Sequence, residues 1–288
     1  MSDLSHGGEG RCLCGAVTYA FTGPPRWQAH CHCESCRRAT SSPFTSFFGV
    51  AHAQFRWTGT PPAARDSSPG VRRFFCAACG SPMAYQDRDR TDEIDLYAAT
   101  LSDPSAYAPE RHVHWNERLP WVRLADGLPV QRTPRRLTPD DDFAPVLRLI
   151  LDSFAFMEGR IDPPSSAARL TTASLSASAR DGEVWVLDDP DAPEGPITCV
   201  VLTPKADHLY LGKLAVAPAF RRQGLARQLV GHALGRARAL GLAELRLETR
   251  VELTENHQSF RAMGFTETGR TAHAGYDRPT SITFALRP

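Results

Sequence analysis

At 288 residues, with 42% hydrophobic and 23% charged content, the chain has the length and make-up of two ordinary soluble domains. A net charge of +1 gives no electrostatic reason to invoke nucleic acid, and no apolar stretch approaches the ~20 residues that span a bilayer. The basic residues are almost all Arg, with Lys205 and Lys213 the only lysines, which reads as the coding bias of a GC-rich, bacterial genome.

From the N-terminus, short alternating runs at 15–21 and 46–50, separated by many Gly and Pro, predict a small turn-rich β domain over residues 1–128. Its cysteines form three groups: Cys12 and Cys14; Cys31, Cys33 and Cys36; Cys76 and Cys79. In an extended strand residues i and i+2 share a face, so Cys12 with Cys14, and Cys31 with Cys33, are each expected to present two sulfurs to one side. Cys76-Ala-Ala-Cys79-Gly80 reads as a knuckle turn, with Gly80 free to take a left-handed backbone. The count divides as four plus three. Cys12, Cys14, Cys76 and Cys79 would close a structural zinc site, whereas Cys31, Cys33 and Cys36 leave one position open, the layout of a catalytic zinc. Two zinc ions per chain are therefore expected. Disulfides are the competing reading. Seven thiols is an odd number, bridging i to i+2 is strained, and no charged-then-apolar leader precedes a cleavage site, so a cytoplasmic chain with reduced thiols is expected. Cys199, inside the apolar run 197–202, reads as a buried core thiol.

The proline-punctuated stretch 129–138 predicts a linker, and 139–288 a second domain in which strands alternate with helices in a mixed α/β layer. Phe143, Val146, Leu147, Ile150, Leu151 and Phe154 recur at helical spacing, with Asp142 as the cap because it keeps Pro145 in the first turn. Segments 183–187, 197–202, 208–216, 244–250 and 281–286 read as strands. Leu225, Leu229, Val230, Ala233, Leu234, Ala237 and Leu240 line one face of a long helix ended by Gly241. Between strand and helix lies Arg221-Arg-Gln-Gly-Leu-Ala226. A tight glycine turn running into a helix exposes unpaired backbone N–H groups and the positive end of the helix dipole, which makes a cradle for pyrophosphate. Gly224 and Ala226 keep side chains out of the way, and Arg221 and Arg222 add charge. A plain helix start with two solvated arginines is the competing reading.

The runs Gly10-Arg-Cys-Leu-Cys-Gly-Ala-Val-Thr-Tyr19, Cys31-His-Cys-Glu-Ser-Cys-Arg-Arg38, Ser67-Ser-Pro-Gly70 and Arg73-Phe-Phe-Cys-Ala-Ala-Cys-Gly-Ser-Pro82, with the segment from Leu101 to Trp121, resemble the GFA family over residues 7–125. This family includes the glutathione-dependent formaldehyde-activating enzyme. The resemblance implies a β-tent fold, the two zinc sites above, and formation of S-hydroxymethylglutathione from formaldehyde and glutathione, formally a carbon–sulfur lyase run in reverse. The family commonly has Gly shortly after the Cys-Arg-Arg run; here the segment is Ala39-Thr-Ser-Ser-Pro43, a departure that bears on substrate more than on metal. His32, between two ligands, is expected to face away from them in a structural role, and His112 and His114 before Trp115 are expected to be exposed, with an approach to a ligand pocket as the competing reading.

Leu214-Ala-Val-Ala-Pro218, the 221–226 loop, the strand at 244–250, Asn256 and Met263-Gly-Phe265 resemble the GNAT N-acetyltransferase superfamily over residues 134–288. The resemblance implies acetyl-CoA in a V-shaped cleft between the strands at 209–216 and 245–250. The backbone of Leu214, Ala215 and Val216 would hold the pantetheine arm. Arg221, Arg222, Gln223, Gly224, Leu225 and Ala226 would grip the pyrophosphate, and Asn256 would touch the cofactor arm. Glu248 is the candidate base for the attacking amine, with Glu252 next; solvated surface carboxylates are the competing reading. The family often places Tyr four residues before the Gly-Phe pair, where this chain has Phe260, which cannot donate a proton. Residues 154–164 fall where the family forms its acceptor pocket.

The combined expectation is a bifunctional enzyme. A zinc-dependent carbon–sulfur lyase domain, acting on glutathione or another thiol with formaldehyde, is joined to an acetyl-CoA-dependent N-acetyltransferase of a small-molecule amine. The alternative is a non-catalytic zinc module that presents or recognises the acceptor for the acetyltransferase.

Overall fold

Strands of three to seven residues between tight turns build the first half, and strand–helix alternation builds the second. The structure is a computed structural model that describes residues 3–287, divided into two units, Met1–Arg132 and Thr133–Pro288. No helix among the described residues is long and apolar enough to cross a membrane.

The first unit runs β1 (Gly7–Arg11), β2 (Thr18–Thr22), β3 (Trp27–Cys31), α1 (Glu34–Thr40), β4 (Thr45–Ala51), β5 (Phe55–Trp57), β6 (Ala63–Ser68), β7 (Val71–Phe75), β8 (Pro82–Asp87), β9 (Glu93–Tyr97) and β10 (Arg111–Val113). One sheet has the order β1-β2-β5, the other β10-β3-β4-β9-β8-β7-β6, antiparallel except where β10 joins β3. Successive strand residues point to opposite faces. Phe48 and Val50 of β4 therefore pack with Tyr19 and Phe21 of β2 and Ile94 and Leu96 of β9 in the main core. Phe47, one residue before Phe48, turns to the other face and packs with Tyr97, Cys31 and Cys36.

The second unit runs β11 (Arg135–Leu137), α2 (Ala144–Phe154), α3 (Thr172–Asp181), β12 (Glu183–Leu187), β13 (Thr198–Pro204), β14 (Leu209–Val216), α4 (Leu225–Ala239), β15 (Leu245–Arg250), α5 (Thr254–Ala262), β16 (Thr266–Thr271) and β17 (Ser281–Leu286). The sheet order is β11-β12-β13-β14-β15-β17-β16, with one parallel junction, β14 against β15. Helices α2 and α3 cover one face through Val146, Ile150, Leu175 and Ala179, packed on Val184, Val186 and Val201. Helix α4 covers the other through Leu225, Leu229, Val230 and Ala233, packed on Val200, Leu202 and Leu211. The N-cap of α2 is Phe143, which makes no side-chain cap bond, and not Asp142 as expected; Asp142 accepts from the Ala144 N–H at 2.9 Å one residue earlier, and Pro145 lies in the first turn. Cys199 is fully buried, and burial pushes its thiol up to about 12.

The stretch 129–138 is not a free linker. Val130 bridges to His112 and Gln131 donates to the His112 carbonyl at 2.8 Å, whereas Arg135–Leu137 is the edge strand β11 of the second sheet. Residues before proline favour extended backbone, and an edge strand needs only that.

Candidate functional sites

The first site is a group of four sulfurs. Those of Cys12, Cys14, Cys76 and Cys79 lie within 4.8 Å of one another, with Cys12 to Cys14 at 3.5 Å and Cys14 to Cys76 at 3.7 Å. A Zn–S bond of about 2.3 Å sets tetrahedral edges of about 3.8 Å, so the donor set fits zinc. Strand alternation is not what brings them together. β1 ends at Arg11, and Cys12 and Cys14 lie in the turn that follows, where the Val17 N–H donates to the Cys12 sulfur at 3.3 Å. Gly80, at φ +76°, turns the other knuckle as expected. The Ser81 hydroxyl and then its amide hold the Cys79 thiol down at about 5, within reach of the thiolate a metal requires.

The second group is Cys31, Cys33 and Cys36, also within 4.8 Å of one another. Here too strand alternation is not what brings the sulfurs together. Cys31 ends β3, but Cys33 caps α1, accepting from the Cys36 N–H at 3.3 Å, and Cys36 lies on the first helical turn. Cys31 and then Cys36 donate to Cys33 and hold its thiol far below the ordinary range, whereas the same sharing, with burial, pushes Cys31 far up. Arg73, 9% exposed, donates to the Cys36 sulfur at 3.8 Å, to Tyr97 Oη at 3.1 Å and to Ser35 Oγ at 2.9 Å, and lies over the Tyr85 ring. None of these partners is a carboxylate. A buried guanidinium whose anionic neighbour is a thiolate suits three sulfurs that share negative charge. Sequence reasoning missed Arg73, which carries no spacing signal.

His32 is fully buried, as its structural reading requires, and its Nε2 meets His112 Nδ1 at 3.0 Å. His112 is not exposed as expected: it is 1% exposed and reaches Asp126 at 3.1 Å through Nε2. The pairing of β10 with β3 buries it. His114 stays partly exposed, 3.3 Å from Glu117.

In the second unit β14 and β15 pair only at Leu209 with Leu245 and Tyr210 with Arg246. Beyond that they separate, because β14 bulges between its pairings with Val201 and Cys199, with Lys213 at φ +52°, while β15 stays paired to β17. A bulge bends its strand and re-aims side chains. The gap opens on a cavity of about 1220 Å³. Leu214, Ala215, Val216, Glu248 and Asn256 line it, as do Arg221, Arg222, Gly224, Leu225 and Ala226. Leu225 is 2% exposed, so only its backbone can serve a ligand. Gln223 is exposed and is not part of the wall, and Glu252 is not part of it either. Arg222 at φ +65° and Gly224 at φ +76° place left-handed residues just before α4, and alternation of hand turns successive amides toward one point. Arg221 is anchored to the Ser153 carbonyl at 3.3 Å.

Phe260 lines the cavity and packs against Phe265 and Phe284. Two tyrosines line the wall, Tyr210 of β14 and, from the loop between β16 and β17, Tyr276, which donates to Asp162. Sequence reasoning missed Tyr276: one Tyr in a polar loop has no periodic signature.

The family model described as Glutathione-dependent formaldehyde-activating enzyme (GFA) matches residues 8–117, and that of the Acetyltransferase (GNAT) family matches residues 147–265. The chain is a GFA–GNAT fusion. The first seven-stranded sheet and both cysteine groups belong to the GFA domain; the splayed strands and the Arg222–Gly224 loop belong to the GNAT domain. Solved structures similar to the GNAT domain include a GNAT family acetyltransferase from Elizabethkingia anophelis with acetyl-CoA bound (18% identity, 54% of this chain, 97% of that chain, TM-score 0.39). An acetyltransferase from Streptococcus agalactiae is also similar (16% identity, 54% of this chain, 98% of that chain, TM-score 0.41). No curated protein matches the chain.

Proposed function

We propose that the protein is bifunctional: the GNAT domain acetylates a small-molecule amine from acetyl-CoA, and the GFA domain joins a thiol such as glutathione to formaldehyde at a zinc held by Cys31, Cys33 and Cys36. The observation that carries this reading is the two-residue parallel junction of β14 and β15, which leaves strand edges facing a cavity beside an amide-rich loop.

Acetyl-CoA brings an activated thioester to the cleft. The unpaired N–H groups at the start of α4, with Arg222, favour its pyrophosphate. The Ala215 carbonyl is engaged by the Thr198 hydroxyl and the Val216 carbonyl by Ser153 Oγ at 3.1 Å, so the pantetheine amides would bond the other backbone groups of Leu214 to Val216 that the splay leaves open. Glu248, on β15 and in the cavity wall, takes the proton of the acceptor's ammonium group. The new N–C bond then forms as the C–S bond breaks, the nitrogen releases its second proton to solvent, and the thiolate takes a proton from solvent, since Phe260 has none to give. Gly224 is left-handed, with no atom within 4 Å of where a Cβ would stand, so a side chain there would enter the space meant for phosphate. Replacing Gly224 with Val should weaken acetyl-CoA binding by calorimetry at least tenfold, roughly 1.4 kcal/mol. Unchanged affinity would remove the loop from the site.

In the GFA domain, zinc at the three-cysteine site supplies Lewis acidity toward a thiol or an aldehyde oxygen. Cys33 is the half-buried member of its trio whereas Cys31 and Cys36 are buried, so a substrate would reach the group at Cys33. Arg73 offsets part of the negative charge of three thiolates. The closed site at Cys12, Cys14, Cys76 and Cys79 holds the second zinc in a structural role. Replacing Cys33 with Ser should lower bound zinc from two ions per chain to one by elemental analysis and abolish thiol-dependent formaldehyde consumption, with acetyl-CoA affinity unaffected. Consumption that persists in the variant, or is missing from metal-replete wild-type protein, would reduce the GFA domain to a zinc-stabilised module that recognises the acceptor.

A further inference from the structure

Seven basic side chains line the cavity of the GNAT domain, against the two carboxylates of Glu248 and Glu255. Arg221, Arg222 and Arg227 belong to the loop and helix that face the pyrophosphate, and Arg160 is paired with Glu255 at 2.6 Å. That leaves Arg169, Lys213 and Arg250, with Glu248 as the one carboxylate of the wall not already paired. Lys213 donates to Ser166 Oγ at 2.9 Å, and Arg250 to the Pro164 carbonyl at 3.1 Å, with His273 Nδ1 3.0 Å away. All these partners are neutral acceptors. Among the described residues none of the three cations has a carboxylate within ion-pair distance. Lys213 and Arg250 are half-buried and Arg169 is exposed; half-buried cations are ordinarily paired, and an excess of one sign inside a cleft concentrates ligands of the other sign.

Their position separates them from the loop. Along β14, Lys213 precedes Leu214–Val216 and the 221–226 loop follows it, so the lysine is at the opposite end of the strand segment that faces the thioester. Ser166 and Arg169 belong to the turn Ser166–Arg169, so the bond from Lys213 fastens that turn to the bulge. Lys213 also holds the left-handed backbone that favours glycine. A lysine in a conformation that glycine adopts freely is backbone strain, and such strain collects where a side chain's direction matters.

We propose that the acceptor amine carries a carboxylate, or another compact anion, bound by Lys213, Arg250 and Arg169, so that its amino group is presented to Glu248 and the thioester. This rests on the acetyltransferase reading above and names the class of its second substrate: an amino acid-like or aminoalkyl-phosphonate-like molecule, not a polyamine.

The test uses the full chain and two readouts. Acetyl-CoA affinity by calorimetry checks the transferase reading. The kcat/KM values for β-alanine, 3-aminopropylphosphonate, n-propylamine and 1,3-diaminopropane check the acceptor class. The anionic pair should exceed the other two by about tenfold or more, the scale of one charge-assisted contact, and the better of the two tells carboxylate from phosphonate recognition. Replacing Lys213 with Gly relieves the backbone and so keeps the fold. It should raise KM for the anionic acceptor about tenfold while acetyl-CoA affinity changes less than about twofold. Arg250→Lys, which keeps the charge, should lose less than Arg250→Gln. Equal efficiency for charged and uncharged amines with normal acetyl-CoA binding overturns the proposal alone. A matching loss of acetyl-CoA affinity in Lys213→Gly overturns it too, assigning these cations to the phosphates of the cofactor. Wild-type protein that binds no acetyl-CoA overturns the transferase reading and this proposal together.

Discussion

Replacing Cys76 with Ser is expected to unfold the GFA domain and leave the GNAT domain folded. Cys76 is 1% exposed and packs in the same core as Cys12, Val17 and Met83, so its thiolate is tenable only with a metal or a proton to balance it. A structural zinc contributes about 10–16 kcal/mol to folding, which matches or exceeds the ~5–15 kcal/mol by which a whole domain is stable. Loss of one of four thiolates therefore removes more than the rest of the domain can supply. The GNAT domain has its own cores around Phe284 and Ile150, and no residue of those clusters comes from the GFA domain. Scanning calorimetry should show two transitions in wild-type protein and one in Cys76→Ser, and a strong chelator should reproduce the change. A first transition that survives both treatments would show that the four sulfurs are not a metal site.

The cysteine groups were legible because ligand spacing is local: each pair or trio is brought together by a single turn. Which cysteines cluster was legible from counting, but strand alternation is not what makes them converge. Cys12–Cys14 and Cys31–Cys33 meet through turns stabilised by N–H···S bonds, and period-two alternation plays no part. The 221–226 loop was legible because glycine marks the left-handed residue next to a helix start. Lys213 was not, since it adopts the same backbone hand without the residue type that announces it. His112 read as exposed because its burial depends on β10 lying parallel to β3, a contact between positions 80 residues apart in sequence for the His32 pair. Three elements left no apolar period to find. Every residue of β16 is exposed, α3 is mostly Ser and Ala, and α5 buries His257 alone. Such elements are held by neighbours: β16 by its ladder to β17, α3 by Leu175 and Ala179 against the sheet.

The second large effect is expected at Arg236 of α4. Glu183, at the start of β12, has a side chain only 5% exposed. It accepts from Arg236 Nη2 at 2.5 Å and Nε at 2.9 Å, and from Trp185 Nε1 at 2.7 Å. Burial works to raise the Glu183 carboxyl, but the hydrogen bonds from Arg236 and Trp185 outweigh it and hold the group below its usual value. A depressed carboxylate adds stability that is complete above its unfolded pKa, ~4.3, and is lost as pH falls through the lower folded value. Replacing Arg236 with Met leaves a buried carboxylate with no cation closer than Arg136 at 3.9 Å, which costs up to about 3–5 kcal/mol at neutral pH and lowers the melting temperature of the GNAT domain by on the order of 10 °C. In that variant burial dominates, the folded pKa rises above the unfolded one, and the sign reverses: stability falls as pH rises through ~4.3 toward the new folded value. The loss relative to wild type should therefore be smaller at pH 4 than at pH 7 in paired thermal scans. Adding Glu183→Gln removes the stranded charge and keeps an acceptor for Trp185, so the double variant should recover most of the loss. A double variant no more stable than Arg236→Met, or a deficit independent of pH, would mean that Arg236 acts through the packing of its stem on the sheet and not through its charge.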